Sequence, residues 1–77
     1  MSVNVKYFAS LRETIGRSSD QITVAGTTTV EKIWQQATDD LDRPERLLVA
    51  VNQEYASFTQ EVKDGDEVAF FPPVTGG

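Results

Sequence analysis

Cysteine and histidine are both absent from this chain of 77 residues. Without cysteine it has no disulfide, no thiolate nucleophile and no thiolate metal ligand. Without histidine it lacks the usual general base, the imidazole of Ser-His and Cys-His pairs, and imidazole metal ligands. The acidic residues are scattered and show no calcium-loop spacing, so we predict no metal site. We therefore do not expect an enzyme that is complete on its own.

Basic residues are few, and long apolar runs are missing. Seven Lys/Arg against twelve Asp/Glu give a net charge of −5, which argues against nucleic acid or an anionic membrane as a partner. No run is long and apolar enough to span a membrane, and the N-terminus lacks the layout of a signal peptide. The sequence therefore predicts a cytoplasmic protein that binds neither nucleic acid nor membrane.

Alternating apolar residues predict that the chain begins with a strand over residues 2–9. The odd positions from Val3 to Ala9 face one side of this strand, which is the period of a half-buried strand. Phe8 is apolar on the polar side, so it lies either under a neighbouring element or on an exposed contact face. A second strand is predicted over residues 21–25, paired with the first.

Two helices are predicted in the first half of the chain. Residues 10–15 form a short helix, with Ser10 as its possible N-cap. Thr28 and Glu31 fit a capping box at the start of the main helix, and Pro44 is expected to end it. The apolar stripe of the main helix, at helical spacing, consists of Val30, Ile33, Trp34, Ala37 and Leu41.

The second half of the chain predicts three more strands. The continuous apolar run 47–51 suits a strand covered on both sides, residues 55–58 suit a short edge strand, and 68–71 form the last strand. This order of elements predicts an α+β domain, in which a mixed sheet of four to five strands packs on one main helix. The first and last strands are expected to pair in parallel at its centre.

Two adjacent phenylalanines in the last strand must face opposite sides of the sheet. Because side chains alternate along a strand, either Phe70 or Phe71 faces away from the core that the other joins. Together with Phe8, the outward ring would form an exposed apolar patch. Such a patch marks a docking surface for a partner.

The end of the chain predicts an extended tail. Pro72 and Pro73 lack a backbone N–H, so pairing with neighbouring strands stops there. The last two glycines make the thinnest possible peptide, able to enter a channel that any Cβ would block. We predict a domain over 1–71 and an extended, flexible tail over 72–77. The α-carboxylate of Gly77 is the predicted reactive group.

The C-terminal motif of residues 64–77, Asp-Gly-Asp-Glu-Val-Ala-Phe-Phe-Pro-Pro-Val-Thr-Gly-Gly, resembles that of a known family. It is similar to the small, sulfur-carrier subunits of molybdopterin synthase, which are ubiquitin-like β-grasp proteins. The segment Leu-Leu-Val-Ala-Val-Asn-Gln at 47–53, Leu-Arg-Glu at 11–13 and Thr-Val-Glu at 29–31 also suit this family. The resemblance covers essentially the whole domain and implies a β-grasp fold.

The resemblance also implies a chemistry for Gly77. An ATP-dependent, E1-like enzyme would adenylate its carboxylate, and a sulfur donor protein would convert the acyl-adenylate to a thiocarboxylate. The tail would then deliver sulfur to the cyclic pyranopterin precursor inside the large subunit, which would hold the catalytic residues. ATP would serve the activating enzyme, and no cofactor would be bound permanently. The family assembles as a heterotetramer, with two small subunits flanking a dimer of large ones.

The predicted contacts with partners fall into two groups. The predicted partner-binding residues are Phe8, Phe70 and Phe71. The tail residues expected in the active site of the partner are Pro72, Pro73, Val74, Thr75 and Gly76.

Three other functions are compatible with the same sequence. The chain would carry sulfur for another pathway, such as the thiamine thiazole or a cysteine route. Alternatively, it would be a protein modifier whose Gly77 is conjugated to lysines of targets. The third alternative is a β-grasp binding module with an unreactive terminus, whose tail is only disordered.

Overall fold

The computed structural model describes residues 1–39, 41 and 46–73. The elements in this part of the chain are β1 (Ser2–Tyr7), α1 (Ser10–Ile15), β2 (Ser19–Thr23), β3 (Thr28–Thr29), α2 (Val30–Thr38), β4 (Leu48–Val51), β5 (Glu54–Ala56), β6 (Glu61–Val62) and β7 (Glu67–Phe71). Five strands form one sheet in the order β2-β1-β7-β4-β5, and β3 pairs with β6 beside it.

The main sheet is mixed, and its centre is the parallel pair of β1 and β7. Their register runs from Asn4 opposite Glu67 to Tyr7 opposite Phe70. The other neighbours, β1 with β2, β7 with β4, and β4 with β5, are antiparallel. The predicted α+β architecture and the predicted parallel pairing of the first and last strands are therefore confirmed.

The core lies between this sheet and α2. Phe70 is fully buried at its centre. Its ring lies edge-on to Trp34, with centroids 5.0 Å apart, and is stacked with Tyr7 and Phe58 at 6.3 and 6.0 Å. Such aromatic pairs add stabilisation beyond the apolar area that they bury. The other buried residues of the core are Val3, Val5, Leu11, Val24, Val30, Ile33, Ala37, Leu47, Val49, Val51, Val62 and Val68.

The start of α2 differs from the predicted capping box. The N-cap is Thr29, whose Oγ1 accepts a hydrogen bond from the backbone N–H of Lys32 at 3.3 Å. Thr28 lies one residue earlier, in β3, opposite Val62 of β6. The strand pairing therefore shifts the cap by one residue, and the prediction that Thr28 and Glu31 form the box is wrong.

The end of α2 also comes earlier than predicted. The helix ends at Thr38, because Asp39 adopts a left-handed conformation with φ of 57° and its N–H bonds the carbonyl of Gln35. Leu41 lies beyond the helix with 40% of its surface exposed, so the prediction that it continues the buried stripe is wrong. Its carbonyl instead accepts a hydrogen bond from Trp34 Nε1 at 2.8 Å. Pro44, the predicted terminator, lies outside the described residues.

Strand β4 is covered on one side only, which corrects the prediction of a strand covered on both. Val49 and Val51 are buried, whereas Leu48 and Ala50 are half-buried. The reason is that α2 packs on one face of the sheet, and none of the described elements covers the other. The edge strand β5, predicted over 55–58, is observed at Glu54–Ala56.

Strand β2 begins earlier than predicted, and the short helix is capped differently. The antiparallel register with β1 reaches Ser19, opposite Lys6, so β2 starts before the predicted residue 21. In α1 the N-cap is Ala9, and no side chain caps the helix, so the prediction for Ser10 is wrong. Gly16 ends α1 in the left-handed conformation that favours glycine.

A small polar network joins the β4–β5 turn to the start of β7. The carboxylate of Asp66 accepts hydrogen bonds from Asn52 Nδ2 at 3.1 Å and from the backbone N–H of Lys63 at 2.9 Å. The Asn52 side-chain oxygen in turn accepts from the N–H of Glu67 at 3.0 Å. These bonds favour the charged carboxylate, and the one from Asn52 contributes most to lowering the pKa of Asp66.

This lowered pKa predicts a loss of stability in acid. While Asp66 is charged in both the folded and the unfolded protein, its hydrogen bonds stabilise the folded state. This contribution is lost as the pH falls below about 4, the ordinary pKa of an aspartate, towards the lowered pKa of the folded protein. We expect Asp66→Asn to have a lower melting temperature than wild type at neutral pH. On acidification, the melting temperature of this variant should fall by less than that of wild type. Melting curves of both proteins across this pH range test the prediction, and parallel curves would contradict it.

Candidate docking surface and tail root

Strand β7 leads directly into the root of the tail. It ends at Phe71, and the half-buried Pro72 and Pro73 follow as the last described residues. Because β1 and β7 are parallel, their ends meet at the same edge of the sheet, and Phe8 follows β1 there. Phe8 N–H donates a hydrogen bond to the carbonyl of Phe70 at 3.2 Å, which holds the two strand ends together.

Four of the predicted site residues lie outside the described part of the chain. They are Val74, Thr75, Gly76 and Gly77. Their predicted roles, and the predicted boundary between a domain over 1–71 and a tail over 72–77, stay predictions.

The two phenylalanines of β7 face opposite sides of the sheet, as the alternation predicts. Phe70 faces α2 and has no exposed surface, so its assignment as a partner-binding residue is wrong. Val68, two residues earlier on the same face, is also fully buried. Phe71 faces the open side of the sheet and is half-buried. Of this pair, only Phe71 is placed to contact a partner.

The open face carries a group of apolar side chains that we call the aromatic patch: Phe8, Leu48, Tyr55 and Phe71. Leu48 is opposite Phe71 in the β4–β7 register. The Tyr55 and Phe71 rings have centroids 5.8 Å apart. Phe8 follows the buried Tyr7, so alternation places it on the open face, and its N–H bonds the carbonyl of Phe70, next to Phe71. Phe8 is 48% exposed and Tyr55 is 80% exposed. Exposed aromatic side chains gathered at one place are typical of protein interfaces.

Sequence reasoning missed Tyr55 and Leu48 as members of this patch. The alternation in β5, with Ala56 opposite the buried Val49, shows that Tyr55 points away from the core. The sequence alone does not tell which strands and side chains lie beside β5 in the sheet. Only the pairing of β4 with β7 places Leu48 and Tyr55 beside Phe71.

A charged pair borders the aromatic patch on β1 and β7. Lys6 Nζ lies 3.5 Å from Glu67 Oε2, and both side chains are partly exposed. Lys6 is opposite Ala69, which lies between Glu67 and Phe71 on the same face of β7. An apolar centre with a charged rim is the usual layout of a protein interface. Exposed pairs of this kind contribute little to stability.

No group of three or more acidic side chains among the described residues is placed to hold a metal ion. One cleft of about 530 Å³ is open and polar, and its lining includes Asn52, Tyr55 and Asp66. Its Asn52 and Asp66 side chains already bond each other. No helix within the described ranges is long and apolar enough to cross a membrane.

Comparison with known families places the chain among relatives along its whole length. The model of the ThiS family matches residues 5–77. The chain belongs to the ThiS family. One ThiS-family relative, the molybdopterin synthase sulfur carrier subunit of Escherichia coli, is 43% identical over 97% of this chain and 99% of its own length.

Solved structures similar to this ThiS-family chain confirm the ubiquitin-like β-grasp fold that the resemblance implied. The crystal structure of SAMP1 from Haloferax volcanii superposes with a TM-score of 0.80, at 31% identity and with both chains covered completely. A complex of subunits 1 and 2 of the molybdopterin-converting factor from Helicobacter pylori contains a similar chain. That chain has a TM-score of 0.62 and 25% identity, again over both full lengths.

Proposed function

We propose that this chain is the sulfur-carrier subunit of a molybdopterin synthase. The observation that carries the proposal is the 43% identity to the Escherichia coli sulfur carrier subunit, over nearly the full length of both chains. The geometry is consistent with it. The central strand β7 leads into Pro72 and Pro73, which precede the last four residues of the chain, and an exposed aromatic patch lies beside this root.

The proposed reactive group is the α-carboxylate of Gly77. A carboxylate is a poor electrophile until one of its oxygens becomes part of a good leaving group. Adenylation by ATP supplies this leaving group, with pyrophosphate released. Sulfide-level sulfur from a sulfur donor protein then displaces AMP, and the thiocarboxylate that results is a sulfur nucleophile. Its sulfur bonds to the cyclic pyranopterin precursor, and water then cleaves the bond between this sulfur and the Gly77 carbonyl carbon, which releases the chain as its carboxylate. The dithiolene of molybdopterin holds two sulfur atoms, so it takes the sulfur of two loaded chains.

The proposed division of labour assigns catalysis to other proteins. The chain contains neither cysteine nor histidine, so it supplies no thiol sulfur and no imidazole, the commonest general base. An E1-like enzyme would use ATP to activate Gly77, and the large subunit of the synthase would hold the catalytic residues. The heterotetrameric assembly and the cytoplasmic location stay predictions within this proposal.

The aromatic patch is the proposed contact with the large subunit. Phe71 is its central member, since it faces Leu48 across the β4–β7 pair and packs against Tyr55. It also lies immediately before Pro72, so a partner that holds Phe71 fixes the point from which the tail leaves. Pro72 and Pro73 restrict the chain at this point, because each proline fixes φ.

We expect Phe71→Ala to weaken binding to the large subunit by about 1–3 kcal/mol, which is typical of a buried aromatic anchor. Isothermal titration calorimetry of the chain with the large subunit measures this change. Leu41→Ala is the matched control, because Leu41 is also an exposed apolar residue but lies just after α2, where its carbonyl bonds Trp34 of that helix. Equal affinities of Phe71→Ala and wild type would contradict the proposed contact.

Reconstitution with purified components tests the proposed pathway. The thiocarboxylate form of the chain is mixed with the large subunit and the cyclic pyranopterin precursor, and molybdopterin is measured by fluorescence of its oxidised derivative. We expect molybdopterin only when all three are present. A loaded chain that yields none would reject this pathway and favour sulfur carriage for another one, such as the thiamine thiazole or a cysteine route.

A second candidate function is protein modification. It is favoured by the similarity to SAMP1 of Haloferax volcanii, also described as small archaeal modifier protein 1, at a TM-score of 0.80. A modifier would form an isopeptide bond between Gly77 and a lysine of a target protein. Ladders of covalent conjugates in cells that express a tagged chain would support this function. If no conjugates form while the thiocarboxylate is detected, protein modification is rejected and sulfur carriage is the remaining function.

A further inference from the structure

One residue beside the aromatic patch has a backbone conformation that is costly for its type. Ala9 has φ of 55° and ψ of −136°. Positive φ is uncommon for residues other than glycine. This combination with a strongly negative ψ is close to the region that only glycine adopts readily, and such conformations are found mostly at functional sites. The surrounding structure must therefore hold Ala9 in place.

The conformation of Ala9 is that of the first central residue in a tight turn. Leu11 N–H donates to the carbonyl of Phe8 at 3.2 Å, which closes a four-residue turn over residues 8–11. Positive φ at the second residue but not at the third, here Ala9 and not Ser10, defines a type II′ turn, where glycine is favoured at the second residue. Arg12 N–H then donates to the carbonyl of Ala9 at 3.1 Å, so α1 begins within the turn.

The turn lets neighbouring residues point in opposite directions. Before it, Tyr7 is buried and its hydroxyl donates to Asp20 at 2.9 Å. After it, Leu11 is again in the core, with 3% of its surface exposed. Between them Phe8 is 48% exposed, although its N–H remains tied to Phe70. The strained turn therefore keeps an aromatic ring in solvent while the chain on both sides is anchored.

We propose that Ala9 is a positioning residue, whose left-handed turn holds Phe8 in the aromatic patch before a partner binds. This inference rests on the proposed function, because the partner that would use Phe8 is the large subunit. Ala9 itself is exposed, so the requirement is on its backbone and not on its methyl group. A ring that is oriented in advance loses less conformational freedom on binding.

Substitutions at residue 9 separate backbone from side chain. Ala9→Gly and replacement of Ala9 by D-alanine, in a chemically synthesised chain, both favour positive φ. Ala9→Val strongly disfavours it, because a β-branched residue in this region is an outlier. Ala25→Val is the matched control, since Ala25 is an exposed alanine in a loop and is not among the residues with positive φ.

The first measurement uses the free chain. We expect the amide of Leu11, which closes the turn, to be protected from hydrogen exchange in wild type, in Ala9→Gly and in the D-alanine variant. The protection should fall at least about tenfold in Ala9→Val, which corresponds to the loss of one hydrogen bond. An unprotected Leu11 amide in the wild-type chain would overturn the inference, whatever the partner.

The second measurement is a double-mutant cycle for binding to the large subunit. We expect Ala9→Val to weaken binding about tenfold in the wild-type background, as for loss of one anchor. In the Phe8→Ala background it should have no further effect, because the ring that Ala9 positions is gone. The glycine and D-alanine variants should bind within about threefold of wild type, since they keep the turn.

The outcomes distinguish this inference from the proposed function. If wild type binds and Ala9→Val weakens binding equally with and without Phe8, Ala9 acts on the fold alone and the inference is wrong. Unchanged binding by Ala9→Val also overturns it. If the wild-type chain does not bind the large subunit at all, the proposed function fails, and the docking role of Phe8 and Ala9 fails with it.

Discussion

Deletion of Gly77 is expected to abolish sulfur loading while the domain stays folded. The proposed chemistry requires a carboxylate held in line with the phosphate of ATP in the activating enzyme. Removal of one residue draws the terminus back by about 3.3 Å, and much smaller misplacements already cost about 100-fold in rate. ATP–pyrophosphate exchange catalysed by the activating enzyme measures the first step directly, and we expect it to fall at least about 100-fold.

A bulky residue at the tip tests a different property of the same tail. Gly76→Val keeps the length and the terminal carboxylate but adds a branched side chain where the active-site channel is expected to be narrow. We expect the same loss of exchange activity as for the deletion. The melting temperature of both variants should equal that of wild type, because every core residue in the part of the chain that the structure describes precedes Pro72. Unfolded variants, or variants that are loaded normally, would contradict the proposal.

Phe70→Ala is expected to destabilise the fold severely. Phe70 is completely buried and packs against Trp34, Tyr7 and Phe58. Truncation of a buried phenylalanine costs about 3–5 kcal/mol, because it leaves a cavity as well as removing apolar contacts. This is a large part of the roughly 5–15 kcal/mol that stabilises a typical domain. Urea denaturation measures the change in the free energy of unfolding.

The neighbouring residue supplies the matched control for Phe70. Phe71→Ala removes the same side chain one position later, on the open face, where Phe71 is only half-buried. We expect it to cost about 1 kcal/mol of stability, a usual value for a partly exposed side chain, while it weakens binding to the large subunit. The reverse result, with Phe71→Ala more destabilising than Phe70→Ala, would contradict the assigned faces of β7.

The sequence alone predicted correctly the helix and strand in which the apolar residues recur with a clear period. The alternation at Val3, Val5 and Tyr7 and the helical spacing from Val30 to Ala37 both describe the observed core. The parallel pairing of β1 and β7 was also correct. The predicted bounds of helices and strands were wrong where a tertiary contact competed with a local sequence signal. Thr28 has the properties of a cap, but its pairing with β6 places it in a strand.

The candidate site was predicted only in part, for a similar reason. Alternation alone established that Phe70 and Phe71 face opposite sides, but which of them faces outward depends on the side that α2 covers. Tyr55 and Leu48 join the patch through the order of strands in the sheet. The left-handed turn at Ala9 has no sequence signal, since alanine is not the residue that such a turn favours.

The most direct test of the proposed sulfur carriage is the intact mass of the chain after incubation with ATP, its activating enzyme and a sulfur donor. We predict that the mass increases by the difference between one sulfur and one oxygen atom, and that tandem mass spectrometry places this change at Gly77. A sample without ATP is the control and should keep the mass of the ordinary carboxylate. An unchanged mass with all components present would contradict sulfur carriage by this chain.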